Sequence, residues 1–185
     1  PTVGTPITPP SVAPVSKVKK NLNPKVSRRI RWKDTQLEDL KATEDEMKRV
    51  ADIIDSVHRD GNLKPLQARA STKLGGKTTL GEFQGKDFGN STIKIRPGSG
   101  GSSTGHVGMT FAHETGHWID FEGLPFKGPH RSFASGGREL SKLTKALKES
   151  PELKRLAELW RKEQDSGFLE YANRDREVFA RAYAQ

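Results

Sequence analysis

The residues best suited to chemistry lie within one pentapeptide, His113, Glu114, Thr115, Gly116 and His117. Histidines at i and i+4 share one face of a helix, one turn apart, so two imidazole nitrogens can converge on a single ion. Nitrogen donors at this spacing suit Zn²⁺, at bond lengths of about 2.0–2.1 Å. Glu114 is rotated off the ligand face yet stays within reach of water on the metal. A carboxylate there can take a proton as the water attacks a carbonyl and then pass it to the leaving amine. Five His and thirteen Glu in this composition produce the pattern by chance in about one shuffled chain in a hundred. The bland alternative is two core histidines satisfied by backbone carbonyls with Glu114 in an ion pair. It places three polar side chains in an apolar helix, at a cost.

Two histidines and a water leave a ligand to be found. A third His six residues after His117 is absent, because Gly123 holds that place and Asp120 stands where the longer motif has Gly. A carboxylate from a later helix is the other solution, and Glu177 suits it. Its face continues as Ala180 and Ala184, small enough for two helices to approach closely, while Val178, Phe179 and Ala182 can pack inward. The competing reading of Glu177 is a surface ion pair with Arg181 at i+4. Glu170 and Glu139 are weaker substitutes as ligand.

Residues 111–120, FAHETGHWID, and residues 171–183, YANRDREVFARAY, together resemble zincin-type peptidases of the gluzincin kind. They look most similar to the metallopeptidase-like domains of phage large polyvalent proteins and phage head-morphogenesis proteins. The resemblance spans about residues 90–185 and implies a helix-rich zincin-like fold, a setting in a phage virion or host cytoplasm, Glu177 as third ligand, and Asp120 as an outer supporting or capping group. Arg181 departs from the Asp found at the corresponding place in some gluzincins.

The elements that must position these residues follow from periodicity and punctuation. Residues 107–121 are apolar at helical spacing and end at Gly123, so the motif helix is expected to be buried. Ser91–Arg96 alternates Ile93 and Ile95 with Thr92, Lys94 and Arg96 before Pro97, as an edge strand would; Thr78–Phe83 is a weaker strand candidate. Between strand and motif helix lie eight residues of Gly, Ser and Thr apart from nothing else, 98–105, placed to act as a lid or a plain connection. Thr43 and Glu46 form a capping box for a helix over 44–60, with Met47, Val50, Ile53, Ile54 and Val57 on one face. Leu140, Leu143 and Leu147 mark another helix, Ser150–Pro151 starts the next, and a last one runs from about Asn173. Tyr171, Tyr183, His106 and His130 are candidates to stabilise an oxyanion beside the metal.

The chain's 185 residues, 32% hydrophobic and 30% charged, suffice for one core, and the expected class is α+β with a small sheet. No apolar run approaches the roughly 18 residues needed to span a bilayer, which argues against a membrane protein. Cysteine is absent, which excludes disulfide scaffolds, thiolate zinc sites and cysteine nucleophiles. The first 33 residues carry eight basic residues and no acid out of a net +9. Residues 1–33 thus read as a Pro-rich, basic leader able to contact nucleic acid through 17–33, and 34–185 as the zincin-like domain. Pro1 and the helical pattern running to Gln185 suggest a piece of a longer polypeptide. The leading expectation is a zinc-dependent endopeptidase acting on protein or peptide laid along Ser91–Arg96, with Glu114 as base and His113, His117 and Glu177 as ligands. Alternatives are a virion or nucleoprotein structural module with a non-catalytic zinc site, and a toxin or effector protease domain released from a carrier.

Overall fold

A computed structural model describes residues 26–32, 38–57, 63–75, 79–86, 90–97, 104–124, 133–163 and 170–185. The architecture is α+β, as expected. Among the described residues it comprises six α-helices and one four-stranded sheet. A helical turn, α1 (Val26–Arg29), leads into β1 (Ile30–Trp32) and α2 (Glu38–Val57); β2 (Leu66–Ala70), β3 (Gly81–Gln84) and β4 (Ser91–Ile95) follow. The motif helix is α3 (Thr104–Trp118), extended by a π-helical turn, Ile119–Gly123. Two 3₁₀ turns, Ala134–Gly136 and Arg138–Leu140, precede α4 (Ser141–Glu149), α5 (Pro151–Glu163) and α6 (Asp175–Ala184). No described helix is long and apolar enough to cross a membrane.

The sheet order is β1-β2-β4-β3, with β1, β2 and β4 parallel and β3 antiparallel to β4. Two expectations are corrected here. Ser91–Ile95 is an inner strand paired on both sides, and β3 is the edge beside the motif helix. Burial of Ser91, Thr92, Ile93 and Ile95 reflects that inner place. The leader boundary at residue 33 also moves. Ile30 is buried, and Trp32 packs at 6.0 Å on Phe111, so the folded body already includes Val26–Trp32. Residues 1–25, with four of the eight basic residues of that stretch, lie outside the described residues.

One face of the sheet, with Leu66, Ala68, Ile93 and Ile95, packs on Met47, Ala51 and Ile54 of α2 and on Val107, Phe111 and Trp118 of α3. The α2 stripe therefore runs at i, i+4 and i+7. Ile53 and Val57, assigned by pattern to the inner face, are 63% and 77% exposed. Helix α2 also begins at Glu38, which puts Thr43 and Glu46 inside it and removes the capping box; Glu46 instead pairs with Arg49. Ser150 does cap α5, accepting the Leu153 N–H at 3.3 Å. Residues 98–103 of the expected lid lie outside the described residues, while Thr104 and Gly105 open α3.

Candidate metal centre

Helix α3 lies between the sheet and α6 and contacts both, which is why its sequence is not amphipathic in the ordinary way. Phe111 and Trp118 face the core, and Glu114, Thr115, Gly116 and His117 are buried as well. The approach of α6 depends on two small residues. A Cβ on Gly116 would lie 2.9 Å from the Ala180 Cα and 3.3 Å from its Cβ, so the two backbones are close to contact. That approach carries Glu177, in the first turn of α6, to the histidines.

The three expected ligands meet. His113 Nε2 lies 3.4 Å from Glu177 Oε2, and His117 Nε2 lies 3.5 Å from Oε1. The two imidazoles stand edge to face with centroids 4.7 Å apart, and the three donor atoms all fall within 4.8 Å of one another. Glu177 Oε2 is buried without completing a hydrogen bond, and Arg181 is 3.8 Å from it. A buried carboxylate whose two oxygens each face an imidazole nitrogen makes, with those histidines, a cluster that could hold a metal ion. The i+4 ion pair with Arg181 exists beside this arrangement rather than instead of it. Arg181 also donates to the Ala172 carbonyl at 2.9 Å, so it ties the start of α6 to the preceding turn.

Electrostatics suit a cation. Burial lowers the His117 pKa, favouring the neutral imidazole that a metal requires, although Glu177 pulls the other way. Burial alone would raise the Glu177 pKa; its contacts with His113 and His117 outweigh that and hold the carboxyl well below the usual range. Glu114 behaves oppositely. Burial, and then the neighbouring Glu177 charge, push it up to about 8, opposed by a hydrogen bond from the Phe83 backbone.

Edge strand β3 sets the place of Glu114. A Cβ on Gly81 would meet Glu114 Oε1 at 2.7 Å and Thr110 Cγ2 at 2.5 Å, so glycine is what lets the strand lie against α3. Phe83, two residues on, donates its N–H to Glu114 and stacks on His117 with centroids 6.5 Å apart. Glu114, His117 and Glu177 open on a cleft of about 300 Å³ walled by β3, Phe133, Tyr171 and Arg176. Phe133 sits 5.6 Å from His117 and directly precedes a turn held by Asp120. The buried Asp120 carboxylate accepts from the Ser135 N–H at 2.7 Å and from the Ser135 hydroxyl, capping the Ala134–Gly136 turn. Burial raises the Asp120 pKa, and those same bonds oppose the shift.

Comparison of the chain with protein-family models, with curated proteins and with solved structures finds no match. The remaining candidates separate by position. Glu170 is exposed and does not join the ligand cluster, and the Glu139 and His106 side chains and all of His130 lie outside the described residues. Tyr171 lines the cleft with its hydroxyl facing Glu177, and burial with that charge pushes its pKa up to about 12. Tyr183 instead packs against the core. Sequence reasoning missed Gly81, Phe83 and Phe133. A glycine beside a short strand pattern was the one available signal for the first, and nothing local marked the other two.

Proposed function

We propose that this chain is a zinc-dependent endopeptidase. The observation that carries this reading is the convergence of His113, His117 and Glu177, with Glu114, His117 and Glu177 lining one open cleft. Two imidazoles and a carboxylate are the donor set of a catalytic zinc site, which keeps one position free. The His–Glu separations, 3.4 Å to Glu177 Oε2 and 3.5 Å to Oε1, are each compatible with zinc. They approach the edge, about 3.3 Å, of a tetrahedron whose donors lie about 2.0–2.1 Å from the ion.

When bound, the ion supplies positive charge that acidifies water and polarises a carbonyl near neutral pH. Glu114 then acts as general base, taking the proton of the attacking water on a carboxylate oxygen and delivering it to the amine nitrogen as the peptide C–N bond breaks. The Phe83 N–H holds that carboxylate in place. In this reading the Tyr171 hydroxyl, which faces Glu177 at the cleft wall, turns to donate to the carbonyl oxygen as it gains charge. Substrate is expected to lie extended along β3, the edge strand that borders the cleft, rather than along Ser91–Arg96, where both sides are already paired. The phage setting rests on the resemblance of 111–120 and 171–183, and nucleic-acid contact through the basic stretch 17–33 rests on its charge.

The test is Glu114→Gln, assayed for zinc content by mass spectrometry and for hydrolysis of casein and a peptide library. Zinc and fold should be retained while turnover falls about 10²–10⁴-fold, the usual cost of losing a general base. Unchanged turnover overturns the role of Glu114. A fully zinc-loaded wild type that cleaves nothing overturns the peptidase reading in favour of a structural zinc module.

A further inference from the structure

A second cavity, about 320 Å³, lies between α5, the last turn of α4 and α6. It shares no lining residue with the cleft at the metal centre, and its size falls at the small end of the range for ligand sites. Helix α5 packs chiefly against α4, and the cavity occupies the space between α5 and α6.

The lining divides into two chemical halves. Leu153 and Ala157 of α5 face Val178 of α6, giving an apolar floor on which Val178 is buried. Cations surround it, and two of them are already engaged: Lys148 with Asp175, and Arg181 with the Ala172 carbonyl and Glu177. Lys154 and Arg161 differ. They lie at i and i+7 on α5, and among the described residues neither forms an ion pair. Glu158 stands between them, four residues after Lys154 and three before Arg161, spacings at which helical ion pairs close. Among the described residues neither pair forms, and both cations line the cavity beside Glu158, which leaves one positive charge in excess among the three.

We propose that this cavity is a binding site for a small anionic ligand that carries a phosphate or carboxylate group on an apolar body. Lys154 and Arg161 attract the anionic group against the opposing charge of Glu158, and the body lies against Leu153, Ala157 and Val178. This site is separate from the hydrolytic reading above and does not depend on it. Arg181 walls the cavity and also touches Glu177, so the two sites are neighbours through one side chain.

The experiment titrates the zinc-loaded full chain with 1-naphthyl phosphate, followed by the probe's fluorescence, with 1-naphthol and inorganic phosphate as separate arms. Saturable binding with a dissociation constant below about 1 mM is expected, with both other arms at least about tenfold weaker, since each lacks one half of the recognition. Lys154→Ala/Arg161→Ala should weaken naphthyl phosphate at least about tenfold, and Ala157→Trp, which fills the apolar half, should do the same. The replaced Lys and Arg side chains are exposed, so the double variant decides if the tryptophan variant does not fold. Absence of saturation overturns the proposal. So does equal affinity in the double variant, which would place the probe at the metal centre or on the general surface, or binding of 1-naphthol as tight as that of the phosphate.

Discussion

Helices α3 and α6 pair with almost no apolar stripe between them, whereas α4 and α5 carry clear leucine periodicity and remain at the periphery. The close seam is built from Gly116 against Ala180 and encloses His117 and Glu177, both buried. The outer pair keeps Leu143 44% exposed and leaves a cavity against α6. Strong amphipathic patterning thus marks a helix that can lie on a surface. Small residues interrupted by His and Glu mark the place where two backbones come close enough for side chains of both to reach one point. Polar groups can be buried in such a seam because they satisfy one another or a shared ion.

The largest expected effect is a single added side chain at that seam. Gly116→Val puts its Cβ 2.9 Å from an α6 backbone atom, and backbone cannot give way as a flexible side chain can. A loss of at least about 1–3 kcal/mol of stability is expected, together with loss of zinc, read by urea denaturation and metal analysis. Ala146→Leu on exposed α4 should stay within about 0.5 kcal/mol. Equal effects at the two sites would erase the distinction between seam and periphery.

Ligand substitutions sharpen the comparison with less damage to the fold. Glu177→Ala should weaken zinc binding by more than the roughly 10–100-fold typical of an outer supporting group, measured by competition with a chromophoric chelator. Glu170→Ala, on an exposed side chain outside the ligand cluster, should leave affinity unchanged. Wild-type affinity in the Glu177 variant would remove it from the ligand set.

The N-terminal boundary gives a smaller test of what belongs to the tightly packed region. Deleting residues 1–25 should preserve zinc content and thermal stability. Deleting 1–33 also removes Ile30 and Trp32 from the core and should cost at least about 1.5–3 kcal/mol, the value of one fully buried large apolar side chain. Identical melting of both truncations would return β1 to the leader.

The smallest effect is a titration of the chelator-treated protein. Its Glu114 pKa is raised from 4.5 to about 8, so between those values the folded state holds a proton that the unfolded state has released. Stability from this group is therefore complete below about 4.5 and is lost as pH rises towards 8. The lowered His117 pKa acts in the opposite sense below the ordinary histidine range near 6.5. The clean window is thus pH 7 to 8, where stability should fall by at most about 1.4 kcal/mol. Glu114→Gln should flatten that slope in thermal melts, and a slope unchanged by the substitution would assign it to another group.

Helix spacing along the chain was enough to nominate His113, Glu114 and His117, because 3.6 residues per turn decides which neighbours share a face before any tertiary contact forms. The same local logic located α4, α5 and α6 and the Ser150 cap, and small residues following Glu177 on one face pointed to the partner helix. Local logic failed where two arrangements present the same pattern. Ser91–Ile95 alternates as an edge strand would, yet it is inner because β2, written in the small residues Ala68 and Ala70, adds a partner that β propensity does not announce. Ile53 and Val57 fit the apolar pattern of α2, but the face that meets the core is the one carrying Met47, Ala51 and Ile54, which leaves them outside. Tertiary structure alone decided that Gly81 brings β3 against Glu114, that the Phe83 N–H holds its carboxylate, and that Asp120 fixes the turn behind Phe133. Those contacts join segments 15 to 33 residues apart, where nothing in the local period says which strand edge or loop will close on the helix, and only packing of the whole core selects one.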